Sequence, residues 1–332
     1  MAPIVRLAVK NDAPALRQTP GNSGKWKDLQ FVGGDGDIDD DWLVVYDDPG
    51  ILNQTWAPKE RRIIFITEPP EVKDYYAHYL NQFGIAVSPM RLKGFEGVWL
   101  QQHGSLLWFI GPSYDELQAA NYEDKSFDLS IVCSAARKYE QHRRRFEFVT
   151  KLKEIFGDKL HWYGRGIQKV SSKAEAISPY RYSIALENNI VEHFWTEKLA
   201  DVYLGSSFPF YAGGANLQRY FPEGAFEYID LDNPRAAAAK IERAIETGLF
   251  EKRLPLIRAA RQKILDDYNL CNEIWNVIQK FGPAAQKVPS LSKPERIFKR
   301  KSGLRSWGLE LPRRVRRHFA QRKYCYEGNG PI

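Results

Sequence analysis

The stretch ENNIVEHFWTEK gathers Glu187, Asn188, Glu197 and Lys198 between a strand-like run, RYSIAL, and a helical one, TEKLADVYLG. Two carboxylates, a carboxamide and an ammonium at such a junction suit a ligand that is both charged and rich in hydroxyls. Thr196 is a good helix N-cap, which places Glu197 and Lys198 in the first turn. Exposed first-turn amides and the helix dipole favour an anion there. Lys198 opposes that dipole unless a negative group such as phosphate neutralises it. A solvated lysine beside a dipole-matching Glu197 is the alternative.

Two further positions carry charge where charge needs a reason. In RRRFEFVTKLKEIF, helical spacing puts Arg145 on one stripe with Val149, Leu152 and Phe156, while Arg143 and Arg144 point away. An arginine aimed inward from a first turn needs a partner. Its planar fork suits a diphosphate oxygen or a carboxylate, and one of the chain's own acids would also serve. Glu68 follows the strand-like RIIFIT directly and precedes Pro69-Pro70, as Glu187-Asn188 follow RYSIAL. In parallel α/β sheets ligands collect at the carboxyl ends of strands. Both acids therefore come at the working edge, although a loop acid in solvent fits Glu68 as well.

The elements that would hold these residues alternate between strand and helix. VRLAV, WLVVYD, RIIFIT and GIAVSP read as strands, and DYYAHYLNQF as a helix between the last two. Residues 95–111 are aromatic and less regular, and a domain junction is expected near 112–126. The rhythm then restarts with FDLSIVCS, the Arg145 helix closed by Gly157, LHWYG, RYSIAL, TEKLADVYLG, FPFYAG and FEYID. Helices follow through NPRAAAAKIERAIETG, the segment from Glu251 to Tyr268, and NEIWNVIQKF. This is an α/β chain with two domains, over residues 1–120 and 121–290, and a tail over 291–332.

With 332 residues, 43% of them hydrophobic, there is ample material for two cores. Three dispersed cysteines argue against a disulfide framework, and the six histidines show no paired ligand spacing. The chain contains no GxxxxGK[ST] loop, GxGxxG fingerprint or GxSxG elbow. The acidic run GDGDIDDDW around Asp37 contains an Asp-x-Asp, but its glycines favour an exposed turn over a metal site. The N-terminus reads as a first strand and not as a signal peptide, and no window is apolar enough to span a membrane. A soluble, cytoplasmic protein is expected.

The net charge of +7 is uneven. From Lys293 onward there are 12 Lys and Arg against 3 acidic residues, which leaves the body nearly neutral. In LPRRVRRHFAQRK, Leu311, Val315 and Phe319 share one side, arginines surround them, and Trp307 lies just upstream. Such a pattern suits an anionic membrane surface. A nucleic-acid-binding role is disfavoured because the body is not basic and no nucleic-acid motif is present.

Taken together, the strand ending in Glu-Asn, the short loop with an aromatic, and Thr-Glu-Lys opening a helix resemble the α-1,3/4-fucosyltransferases, glycosyltransferase family 10. The similarity runs from about Ser130 to Asp230 and includes PFYAGGAN and YFP. Phe194 stands where the family usually has Tyr, His193 where an acid is frequent, and Asn189 where Ser is common. The resemblance implies a GT-B architecture: two Rossmann-like domains facing a cleft, the first binding the acceptor and the second GDP-fucose. It implies that Arg145 and Lys198 hold the diphosphate, that Glu197 binds ribose hydroxyls, and that Glu187 and Asn188 line the donor pocket. Glu68 would be the base that activates the acceptor. No metal or other cofactor is implied. The partners would be a GDP-sugar and an oligosaccharide or glycoconjugate such as lipopolysaccharide, with the basic tail at the anionic inner face of a membrane. A same-fold transferase with another sugar nucleotide, or a non-catalytic polyanion binder, is the alternative.

Overall fold

The computed structural model describes residues 2–9, 15–34, 38–49, 54–69, 72–104, 107–285, 287–297 and 326–327. Its contacts define two units, Met1–Ser105 with Leu270–Ile332, and Leu106–Asn269.

The first unit begins with strands β1 (Ile4–Ala8), β2 (Lys25–Trp26), β3 (Leu29–Gly33), β4 (Trp42–Tyr46), β5 (Gln54–Thr55), β6 (Arg62–Phe65), β7 (Ile85–Ser88), β8 (Arg91–Leu92) and β9 (Val98–Gln101), with helix α1 (Ala77–Leu80) before β7. Seven of them form one sheet in the order β2-β3-β1-β4-β6-β7-β9. All its pairs are parallel except β2 with β3. Leu43, Val44, Val45, Ile63 and Ile64 are fully buried, which explains why these strands read as continuous apolar runs.

Three local expectations change here. Residues 74–83 are helical only over Ala77–Leu80, because tertiary bonds override the local preference: Tyr75 donates its hydroxyl to the Asp47 carboxylate, and Tyr79 donates to the Asp47 carbonyl at 3.1 Å. The aromatic stretch after Phe95 contains an edge strand, β9. The acidic run is partly interior. Asp40 is 3% exposed, accepts from Thr55 Oγ1 at 2.6 Å and Trp56 N at 2.9 Å, and lies 3.5 Å from Arg6 Nε. Asp37 lies outside the described residues.

The second unit contains α2 (Tyr114–Ala119), β10 (Phe127–Val132), α3 (Glu140–Phe156), β11 (Leu160–Tyr163), α4 (Lys173–Ile177), β12 (Tyr180–Leu186), α5 (Glu197–Leu204), β13 (Phe208–Ala212), β14 (Glu227–Tyr228), α6 (Pro234–Glu246) and α7 (Leu249–Leu265). Its sheet is wholly parallel, in the order β11-β10-β12-β13-β14. One core joins Phe148, Val149 and Leu152 of α3 and Ile241 of α6 to Ile131, Ile184 and Phe210 of the sheet. The other joins Leu199 and Tyr203 of α5 and Ile264 of α7 to Ala185 and Tyr211. Helices therefore cover both faces, as a parallel sheet requires. The α3 stripe falls as its spacing dictates: Arg145, Val149, Leu152 and Phe156 are all buried, and Gly157 at φ 55° ends the helix.

The chain then returns to the first unit through α8 (Leu270–Ala285), β15 (Glu295–Arg296) and β16 (Tyr326–Glu327). Trp26 Nε1 donates to Asn272 Oδ1 at 3.2 Å, Lys27 Nζ sits 3.5 Å from the Trp275 ring centroid, and Arg61 Nη2 donates to the Val288 carbonyl at 2.7 Å. Chain order groups α8 with residues 121–290; these side chains place it with residues 1–105. Trp307, Leu311, Val315 and Phe319 of the basic tail lie outside the described residues.

Candidate active site

In the second unit the polar residues converge at the carboxyl ends of β10, β12 and β13. β12 is buried along almost its whole length and delivers Glu187 one residue beyond its end. Glu187 is 2% exposed. Its two carboxylate oxygens accept from Thr196, one from the backbone N–H and one from Oγ1, each at 2.7 Å. That fork closes the loop between β12 and α5 and fixes where the helix starts. Thr196 Oγ1 also caps Lys198 N at 3.4 Å.

Lys198 turns back onto this junction. Its Nζ donates to Thr196 Oγ1 at 2.9 Å and to Glu197 Oε1 at 3.1 Å, and lies 3.4 Å from Glu187 Oε2. Burial works against the ammonium, but Glu197 and Glu187 outweigh it and raise the Lys198 pKa above the ordinary lysine range. Burial likewise opposes Glu197, yet the charges of Lys198 and then Lys173 hold its carboxyl down at about 2. Glu187 moves the other way: burial raises it, and Lys198 offsets only part of that. Lys173 is anchored by Asp201, Nζ to Oδ2 at 2.6 Å, so the flank of α5 carries alternating charge.

Arg145 approaches from α3 and donates Nη1 to the Leu186 carbonyl at 3.1 Å, which brings it to the end of β12. Its side chain is 9% exposed, and Nε is buried with no hydrogen-bond partner among the described residues. Asn188 Oδ1 and His142 Nδ1 share that condition. Arg145 and Lys198 both act on His142, whose pKa burial and these cations lower, and both oppose the burial that raises Cys133. The two cations thus face a common region. Buried polar atoms are rarely left without partners, so the unmet Nε donor of Arg145, with Lys198 acting on the same region, points to an anionic ligand, and the Asn188 carboxamide oxygen, an acceptor, to a hydroxyl or other donor on it.

Two glycines keep this edge compact. A Cβ on Gly213 would come 2.1 Å from the Tyr211 hydroxyl oxygen and 2.7 Å from Glu187 Cγ. One on Gly214 would come 2.6 Å from the Val191 carbonyl. The same Tyr211 hydroxyl donates to the Phe194 carbonyl at 3.0 Å and accepts from Gly214 N at 3.1 Å. The AGG of FPFYAGG is therefore a packing requirement of the loop that carries the site.

In the first unit Glu68 is half-buried, two residues beyond Ile66 at the carboxyl end of the β6 run. The preceding Thr67 is held by Asp47: Thr67 N donates to Asp47 Oδ1 at 2.9 Å, and Thr67 Oγ1 donates to Oδ2. Asp47 takes φ 60°, also receives the Tyr75 hydroxyl, and lies 3.4 Å from Lys73 Nζ. Gly104 backs the turn closely, since a Cβ there would meet the Ile66 carbonyl at 2.5 Å. Asp47, like His142 and Lys173, has no local sequence signal beyond its charge; only the position of His142 three residues before Arg145, on the same helix face, hints at a shared site.

The two α/β units, one with a wholly parallel sheet and one with a largely parallel sheet, match the GT-B fold of solved glycosyltransferases. The chain superimposes on an α1,3-fucosyltransferase solved with GDP-fucose at TM-score 0.51, with 16% identity over 87% of this chain and 91% of that one. A glycosyltransferase from Rickettsia africae ESF-5 gives TM-score 0.48 and 9% identity over 86% and 99%. No curated protein sequence matches the chain. Residues 126–244 match the family described as glycosyltransferase family 10 (fucosyltransferase), C-terminal, and so the chain carries that family's domain, as its resemblance implied, and is a glycosyltransferase.

Proposed function

We propose that the chain transfers L-fucose from GDP-fucose to a hydroxyl of a glycan acceptor, with inversion at the anomeric carbon. The observation that carries this reading is that Arg145 Nε, Asn188 Oδ1 and His142 Nδ1 are buried without hydrogen-bond partners among the described residues, within the matched domain that also carries Lys198. Breaking the sugar–phosphate bond leaves negative charge on the departing diphosphate. Arg145 and Lys198 would stabilise it through charge-assisted hydrogen bonds, in the role a metal ion takes elsewhere. Asn188 would bind a hydroxyl or phosphate oxygen, and Glu197, ionised down to about pH 2, would accept from ribose hydroxyls. Glu187 would act through others: its fork to Thr196 holds α5, and its charge holds Lys198.

Glu68 is assigned proton removal from the acceptor hydroxyl, a role typically worth roughly 10²–10⁴-fold in rate. Attack by that hydroxyl as the diphosphate leaves forms the new glycosidic bond in one displacement, with the proton passing to Glu68. The basic tail would hold the enzyme at an anionic membrane surface, where each basic residue contributes about 1 kcal/mol. Among the described residues no helix is long and apolar enough to cross a membrane.

The reading is tested with a panel of nucleotide sugars and glycan acceptors in the presence of a chelator. Turnover of GDP-fucose with inverted anomeric configuration in the product is expected. Turnover of another nucleotide sugar with GDP-fucose inert, or retained configuration, contradicts it.

A further inference from the structure

His142 lies in the first turn of α3, three residues before Arg145, and so shares its face of the helix. Its Nδ1 is buried with no hydrogen-bond partner among the described residues, as are Arg145 Nε and Asn188 Oδ1. The ring is fixed by the neighbouring Tyr139, edge to face with centroids 5.1 Å apart. Among the described residues the charged groups acting on it are Arg145 of its own helix, Lys198 from α5, and Lys138 from the loop before α3, and no carboxylate is among them. Burial and those three cations keep the free imidazole neutral. A half-buried imidazole whose acting charges are all cations gains nothing from a proton until an anion arrives.

We propose that His142 is a third hydrogen-bond donor to the diphosphate, taking up one proton from solvent when the nucleotide sugar binds. This rests on the donor-site reading above and adds a specific consequence to it. The diphosphate brings negative charge to the place where Arg145, Lys198 and His142 meet, which reverses the local field and favours the imidazolium. Binding and protonation are then linked. GDP-fucose affinity falls as pH rises through the interval between the free and bound values of His142, by up to about tenfold per pH unit.

The test is calorimetric titration of GDP-fucose, without acceptor, into the full-length protein near pH 7 in two buffers of different ionisation enthalpy. The diphosphate of a nucleotide sugar has no group that titrates near neutrality, so proton uptake reports on the protein. Uptake of a sizeable fraction of a proton by the wild type is expected, together with its loss and several-fold weaker binding in His142→Gln. Binding with no buffer dependence in the wild type overturns the proposal and leaves the donor site standing. Uptake undiminished in His142→Gln also overturns it. Absence of any GDP-fucose binding overturns both readings. The wild-type arm gives its answer whether or not the variant folds.

Discussion

The two oxygens of Glu187 are both engaged by Thr196, at 2.7 Å to its backbone N–H and 2.7 Å to its hydroxyl, across a loop of eight intervening residues. A buried carboxylate used this way sets the start of α5 and, through it, the position of Lys198.

Glu187→Ala is therefore expected to damage both stability and donor binding. It leaves the Thr196 N–H and hydroxyl without their acceptor and removes one of the two carboxylates beside the Lys198 ammonium, at a cost of about 1–3 kcal/mol for the unsatisfied groups. Glu187→Gln keeps the shape and loses the charge, so it should be milder in stability while still weakening GDP-fucose. Thermal unfolding and calorimetry on both variants check this. Unchanged donor affinity in Glu187→Ala contradicts the positioning role.

Glu68→Gln should leave GDP-fucose binding intact and lower transfer by roughly 10²–10⁴-fold. Asp47→Ala, which removes the acceptor of Thr67 and Tyr75, should lower kcat in the same direction, with donor affinity retained and stability reduced. Steady-state kinetics beside calorimetry separates the two effects. Full transfer in Glu68→Gln removes the proposed base.

Glu197 has a depressed pKa, so its contribution to stability is present above the unfolded carboxyl value of 4.5 and is lost as pH falls toward about 2. Glu187, pushed upward by burial, works in the opposite sense: protonation on acidification relieves its burial cost. The stability difference between wild type and Glu197→Gln should accordingly shrink as pH is lowered from 5 to about 2. Denaturant unfolding at several pH values measures it, and a difference independent of pH contradicts the assignment of charge.

Replacing Arg313, Arg314, Arg316 and Arg317 with glutamine should abolish sedimentation with phosphatidylserine vesicles while leaving transfer to a soluble acceptor unchanged. Each such residue near an anionic surface contributes about 1 kcal/mol. Equal pelleting of both forms contradicts a membrane role for the tail.

Much of this site was legible in the sequence because local patterns decide it. The apolar stripe that includes Arg145 has helical spacing, so its inward direction follows from 3.6-residue periodicity alone. The Thr196 cap similarly marks the start of α5 within a residue. Long-range partners left no comparable trace. Nothing in ENNIVEHFWTEK says that Glu187 reaches over its own loop to Thr196, and nothing near Asp47 says that it holds Thr67 and Tyr75. The helix expected over residues 74–83 is short because those tyrosine contacts, invisible to local propensity, prevail. Helix α8 joins the first unit for the same kind of reason: Asn272 and Trp275 find their partners at Trp26 and Lys27, far away in sequence. His142 went unread because an imidazole on a helix carries no signal until its neighbours are known.

Calorimetric titration of GDP-fucose into the wild type, Arg145→Ala and Lys198→Ala tests most directly whether these two cations hold a diphosphate. Each lost charged hydrogen bond is worth about 1.5–3 kcal/mol, so each variant should bind roughly ten- to a hundredfold more weakly, and Lys198→Ala should also unfold at a lower temperature because it leaves Glu187 and Glu197 without their cation. Wild-type affinity in both variants contradicts the account.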